Sequence, residues 1–217
     1  MKLSVACHPR LRLLAAGLLI ALGASLAGCD DAGGPGSAAP QAGSSSFKAV
    51  DITGLDYGKS LKLSDPEGQL RSLADYAGKL VVVFFGYTQC PDVCPTTMAE
   101  LAQVKKQLGA EGDKLQAIFV TVDPERDSAE LLKAYMASFD PAFVALRGTL
   151  DETKAVAQGF KVFYQKVPNK DGNEGYTLDH TAGAYVFDMQ GRTRLFVRYG
   201  TPIEAWLADL RILLAGG

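Results

Sequence analysis

Cys90 and Cys94 stand in the segment Phe85-Gly86-Tyr87-Thr88-Gln89-Cys90-Pro91-Asp92-Val93-Cys94-Pro95, directly after the apolar run Leu80-Val81-Val82-Val83-Phe84-Phe85. Sulfur attacks or ligates as the thiolate, and a helix N-terminus lowers a thiol pKa. Cys94 falls at or near a helix start, and Cys90 lies about one turn earlier. Residues four apart on a helical turn face the same way, so the pair can share one metal or close a disulfide. Pro91 and Pro95 stiffen the loop and suit a helix's first turn. The spacing Cys-x3-Cys is one residue longer than the redox Cys-x2-Cys, which shifts the balance from electron transfer towards metal binding. A purely structural disulfide is the bland alternative, but the loop it would close is too small to stabilise much through chain entropy.

The elements that must position this pair follow from the hydrophobic pattern. Leu80 to Phe85 is continuous and β-rich, as in a central strand covered on both faces. Pro95 to Leu108 carries Met98, Leu101, Val104 and Leu108 at helical spacing. Leu115 to Val122 is a second buried strand. Asp123-Pro124-Glu125-Arg126-Asp127-Ser128 then opens a helix to about Phe139, with Asp127 and Glu130 as a capping box; helix initiation is preferred here to catalysis. Phe143 to Leu146 is a short strand and Asp151 to Gly159 a short helix. Phe160 to Asp179 is irregular, an inserted loop or hairpin suited to partner contact. Ala184 to Asp188 and Arg194 to Tyr199 are strands joined by a turn, and Pro202 to Leu214 is a closing helix. Upstream, Phe47 to Leu63 is expected to form a β-hairpin. Asp65-Pro66-Glu67-Gly68 is a turn, and Leu70 to Ala77 a short strand plus one helical turn. Alternating strands and helices build a parallel sheet, to which the last hairpin adds antiparallel strands.

The ends are of a different kind. Lys2, Arg10 and Arg12 precede or flank the apolar stretch Leu11 to Leu26, which ends in Leu26-Ala27-Gly28-Cys29. This is a secretory signal, residues 1–28, too short for a spanning helix. Cys29 after small residues resembles the bacterial lipobox, which implies cleavage before Cys29 and lipid on its sulfur. Asp30 and Asp31 follow, and an Asp there resembles the Gram-negative inner-membrane retention signal. Residues 29–46 are the lipidated cysteine and a Gly/Ser/Ala/Pro-rich linker. Its reach from the bilayer is about 20–25 Å. Residues 47–217 are then one domain. Of the 4 Cys and 2 His, Cys7 and His8 leave with the signal, so Cys90 and Cys94 are the free thiols and His180 the mature chain's histidine. The net charge of −2 gives no sign of a nucleic-acid partner.

A thiol pair between the first central strand and its helix, in this order of elements, resembles the thioredoxin fold: a central mixed α/β sheet flanked by helices, here with an N-terminal hairpin and an insertion before the last hairpin. In such folds the residue before the strand at Ala184 is usually a cis-proline facing the thiols. This chain has Asp179-His180-Thr181 there, so an imidazole replaces the ring.

Gly86-Tyr87-Thr88-Gln89-Cys90-Pro91-Asp92-Val93-Cys94-Pro95, Val122-Asp123-Pro124-Glu125-Arg126-Asp127 and Leu178-Asp179-His180-Thr181 together resemble the SCO/SenC family over essentially residues 47–214. The resemblance implies a thioredoxin-like copper metallochaperone that delivers copper to the binuclear copper centre of cytochrome c oxidase. It implies Cys90, Cys94 and His180 as metal ligands. It also implies the oxidase copper-site subunit as partner, a periplasmic copper donor or thiol reductase beside it, and lipid-anchored placement at the periplasmic face of the bacterial inner membrane. The ligand chemistry agrees: two thiolates and an imidazole suit Cu(I), and with a further ligand or water Cu(II), whereas structural zinc prefers a fourth protein ligand. Asp92 and Asp179 are candidate outer groups rather than ligands.

Two other activities fit parts of the pattern. A thiol–disulfide oxidoreductase needs only Cys90 and Cys94 as its redox pair, keeping the oxidase copper-site cysteines reduced or serving redox signalling. A peroxiredoxin-like peroxidase would require Thr or Ser three residues before the reactive cysteine, where Tyr87 and Pro91 stand instead.

Overall fold

The structure, a computed structural model, describes residues 47–169 and 175–217. The signal segment, Cys29 and the linker lie outside the described residues, as does 170–174 within the insertion. Three short strands come first: β1 (Val50–Asp51), β2 (Leu63–Ser64) and β3 (Leu70–Arg71). The hairpin expected within 47–63 does not form there. It forms one turn later, where β2 and β3 pair antiparallel around Asp65-Pro66-Glu67-Gly68. Buried Asp65 organises that turn, accepting from the N–H groups of Glu67 and Gln69 and from the Arg71 guanidinium. Gly68, at φ 80°, takes the left-handed position that closes it.

A short 3₁₀ turn, Leu73–Tyr76, leads to β4 (Leu80–Gly86), all of whose residues are buried. Helix α1 (Val93–Gln107) follows, turning Cys94, Met98, Leu101 and Val104 inward. It starts two residues before the expected Pro95, which places that proline in the first turn, where a missing N–H is tolerated. Then come β5 (Leu115–Thr121), again wholly buried, α2 (Ala129–Ala137), β6 (Val144–Leu146) and α3 (Leu150–Gly159). Thr149 and Glu152 form a reciprocal capping box at the start of α3. The insertion is a regular antiparallel hairpin, β7 (Tyr164–Pro168) with β8 (Tyr176–His180), in register from Tyr164 opposite His180 to Pro168 opposite Tyr176. The chain closes with β9 (Gly183–Phe187), β10 (Thr193–Arg198) and α4 (Ile203–Leu214).

The main sheet runs β1-β10-β9-β4-β5-β6. Strands β4, β5 and β6 are parallel, β9 is antiparallel to β4, and β1 pairs antiparallel with β10. This is the mixed, helix-flanked sheet the element order predicts. Its core is aromatic at the centre: Phe84, Phe85, Phe119, Phe160 and Phe187 are fully buried, each contributing about 1.5–3 kcal/mol through removal from water. Trp206, Leu207, Leu210 and Leu213 bury the inner face of α4. Among the described residues, no helix is long and apolar enough to cross a membrane. For the site, two placements matter. β4 delivers the thiols at its carboxyl end, and β9 lies directly beside β4, so the chain just before β9 arrives at the same end.

Candidate metal centre

At Gly86 the chain leaves the sheet and turns into α1, with the Cys90 N–H bonded to the Tyr87 carbonyl at 3.2 Å. Cys90 is half-buried on this loop and Cys94 is buried as the second residue of α1. The turn can pass this close only because residue 86 has no side chain. A Cβ there would lie 2.7 Å from the Cys94 Sγ and 2.8 Å from the Phe119 ring. His180, the last residue of β8, places its Nε2 3.4 Å from the Cys94 Sγ. The ligating atoms of Cys90, Cys94 and His180 all lie within 4.8 Å of one another. The sequence-derived trio therefore meets in space.

The imidazole is held on both sides. Phe84 and Tyr87 meet it edge-on, with ring centroids at 5.9 and 6.0 Å. Its Nδ1 lies 3.1 Å from the Thr181 carbonyl oxygen. A carbonyl only accepts, so Nδ1 carries the proton, and in the neutral ring the Nε2 lone pair faces the thiols. That is the arrangement of metal-ligating histidines, whose second nitrogen donates to a backbone carbonyl or carboxylate.

The two sulfurs are electrostatically unequal. Donation from the Cys94 thiol pulls the Cys90 pKa down to about 4; burial opposes this, while the N–H groups of Cys94 and Asp92 assist. The Cys94 N–H lies 3.4 Å from the Cys90 sulfur. Cys94 is held far above the ordinary thiol range, first by the proton it keeps for Cys90 and then by burial. In the metal-free protein the pair therefore holds one thiolate and one thiol. A metal taking both sulfurs must displace the Cys94 proton. In disulfide exchange, Cys90 is the attacking thiolate and Cys94 the resolving thiol.

The segment after β5 departs from expectation. Ser128, not Asp127, caps α2, accepting from the Leu131 N–H. Asp127 points inward instead, where its carboxylate meets three donors, one of them on fully buried Thr121. The hydroxyls of Thr88 and Thr121 donate to it at 2.6 and 2.5 Å, and the Thr88 N–H lies 3.2 and 3.3 Å from its two oxygens. Asp123 accepts from the Arg126 guanidinium and, at 2.8 Å, from the Tyr176 hydroxyl. Arg126 stacks over the Tyr176 ring at 3.7 Å and donates to its carbonyl at 2.8 Å. The Tyr87 hydroxyl accepts from the Leu178 N–H at 3.2 Å. The hairpin that carries His180 is thus clasped to the loops that follow β4 and β5. Sequence reasoning missed these roles of Tyr87, Asp123, Arg126, Asp127 and Tyr176. The available signal was topological, since loops after parallel neighbouring strands gather at the carboxyl end of the sheet.

Asp92 and Asp179 are exposed, and neither joins the ligand cluster. Both line the rim of a groove of about 390 Å³ that opens onto Cys90 and His180. A larger cavity of about 830 Å³, among Tyr57, Leu61, Leu73, Arg192 and Arg194, lies apart from the thiols.

The family model described as SCO1/SenC matches residues 51–215. A SCO2-like protein of Rickettsia felis is 34% identical over 135 residues, which is 62% of this chain and 66% of that protein. The chain thus spans about two thirds of the length of that relative. Among solved structures, Bradyrhizobium japonicum ScoI with copper bound is 40% identical with a TM-score of 0.63, over 70% of this chain and 96% of that one. Yeast Sco1 with copper bound is 27% identical with a TM-score of 0.67, over 75% of this chain and 91% of that one. With the family model matched from the first strand of its main sheet to its last helix, the chain belongs to the SCO1/SenC family.

Proposed function

We propose that this chain is a copper-binding metallochaperone. It takes copper on the Cys90 and Cys94 sulfurs and the His180 Nε2 and delivers it to the binuclear copper centre of cytochrome c oxidase. The observation that carries this reading is the convergence of those three atoms within 4.8 Å, with the imidazole Nδ1 set 3.1 Å from the Thr181 carbonyl and Nε2 turned to the sulfurs. Two thiolates and an imidazole make a soft, low-coordinate set, suited to copper that must leave again. Copper is cargo here. The incoming thiolates of the oxidase subunit displace the ligands one at a time, through the groove beside Cys90. In the same reading Cys29 carries the lipid, residues 30–46 tether the domain, and the protein works at the periplasmic face of the inner membrane.

A second activity is favoured by the split between the two thiols. The Cys90 thiolate attacks a substrate disulfide and releases one thiolate from it. Cys94 then gives up its proton and attacks the mixed disulfide, releasing the second substrate thiol. The protein ends as the Cys90–Cys94 disulfide and the substrate gains two electrons. This reaction does not use His180.

Anaerobic copper titration of the reduced domain, with absorption and electron paramagnetic resonance spectra, separates the two. The metallochaperone reading requires a thiolate-to-Cu(II) band that is lost in Cys90→Ala, Cys94→Ala and His180→Ala. Disulfide reduction that survives His180→Ala, with no copper bound by the wild type, would leave only the oxidoreductase.

A further inference from the structure

We infer that Asp127 is a positioning residue for the thiol loop, fixing Cys90 through Thr88 so that the three ligating atoms stand together before metal arrives. This rests on the metal-binding reading of the same site. Hydrogen bonding between β4 and β5 runs up to the Val122 N–H, which donates to the Gly86 carbonyl at 2.8 Å. The next inward donor on the β4 side is the Thr88 N–H. It finds no strand carbonyl and turns to the Asp127 carboxylate, at 3.2 and 3.3 Å. The Thr88 hydroxyl donates to the same group at 2.6 Å. Two bonds therefore pin the backbone two residues before Cys90.

The other side of the carboxylate is equally fixed. Thr121, the last residue of β5, donates to it at 2.5 Å, and the Asp127 N–H donates to the Asp123 carbonyl at 3.0 Å. Asp127 is fully buried and has no capping duty, which belongs to Ser128. Burial of a carboxylate is unfavourable unless it is hydrogen-bonded throughout. Here all its partners lie in the segment that carries Cys90 or in the strand end beside it. Outer partners that orient ligands typically contribute 10- to 100-fold to metal affinity.

The test uses Asp127→Ala, Asp127→Asn, Thr88→Val and, as a control, Thr149→Ala, which removes the α3 cap and touches no site residue. Cu(I) affinity is measured by chelator competition, the Cu(II) spectrum by paramagnetic resonance, and stability by thermal unfolding. Asp127→Ala should lower Cu(I) affinity about 10- to 100-fold and alter the Cu(II) spectrum. Asp127→Asn should recover most of both, because its amide oxygen still accepts from the Thr88 N–H. Thr88→Val should show a smaller loss, and it carries the test if Asp127→Ala does not fold. Thr149→Ala should be less stable yet bind copper as wild type does. Wild-type affinity and spectrum in the Asp127 and Thr88 variants would overturn the inference, as would the same copper losses in Thr149→Ala. If the wild type binds no copper, the metallochaperone reading fails, and Cys90 alkylation in metal-free protein decides this inference alone. A changed rate in Asp127→Ala and Thr88→Val, but not Thr149→Ala, sustains it; unchanged rates end it.

Discussion

The Tyr87 hydroxyl accepts a hydrogen bond from the Leu178 backbone N–H at 3.2 Å, across 91 positions of sequence. The acceptor stands three residues before Cys90 and the donor two before His180. One bond therefore couples the strand exit that carries the thiols to the hairpin that carries the imidazole. Tyr87 also packs edge-on against the His180 ring. The hairpin is not part of the main sheet, so its placement depends on contacts of this kind.

Replacement of Tyr87 by Phe keeps the aromatic contact and removes the acceptor. It should destabilise the fold by about 1–3 kcal/mol, the usual consequence of leaving a buried N–H unpaired. Hydrogen exchange at the Leu178 amide should accelerate by more than global unfolding explains. Unchanged exchange there would show that the hairpin is held by its other contacts alone.

Gly86→Ala tests the close approach of strand and sulfur. The added methyl would meet the Cys94 Sγ at 2.7 Å and Phe119 at 2.8 Å, so one of them must move. Overpacking of this kind typically costs about 1–3 kcal/mol, measurable by denaturant unfolding. The thiolate-to-Cu(II) band should weaken together with stability. A variant with wild-type stability and spectrum would mean the sulfur has room to retreat.

The inequality of the thiols gives a pH profile. In reduced, metal-free protein, iodoacetamide should modify Cys90, with a rate that falls away only around pH 4, where its thiolate takes up a proton. Cys94, buried and protonated, should stay unmodified until the protein unfolds. Peptide mapping of the alkylated chain reads both sites. Equal labelling of the two cysteines in acid would contradict the assignment of proton and charge.

Acid stability should depend on Asp188. Burial alone would raise its pKa. The Arg192 N–H and guanidinium and the Gln190 N–H outweigh that and hold it below the ordinary 3.8. A carboxyl depressed by folding contributes stability that is present above the ordinary carboxylate range and lost as pH falls through its folded value. Asp188→Asn should therefore lower Tm at neutral pH, with the gap to wild type closing in acid. A gap of constant size across pH would remove the ion pair from the explanation.

The buried strands, the order of elements and all three ligand candidates were legible in the sequence. Six successive apolar residues before Cys90 leave little choice but a central strand, and His180 stands where the strand beside it must begin. The misreadings have one physical cause, namely that local pattern does not reveal long-range partners. Asp127 has the spacing of a helix cap, and only the fold shows Thr88 and Thr121 converging on it while Ser128 takes the cap. Val50–Asp51 reads as half of a local hairpin, yet it finds an edge at β10, opposite Phe196 and Leu195. The insertion reads as irregular, and its pairing from Tyr164 to His180 emerges only when the two arms are placed side by side.

His180 is 86 positions beyond Cys94, on a hairpin that follows most of the parallel sheet. During synthesis the sulfurs emerge first and the imidazole much later. A chain halted before the hairpin offers two thiols without their nitrogen partner, and one with an undocked hairpin does the same. Full coordinating capacity thus requires a chain synthesised past the hairpin and a hairpin docked against the loops after β4 and β5, so its topology makes the complete ligand set a late product of folding.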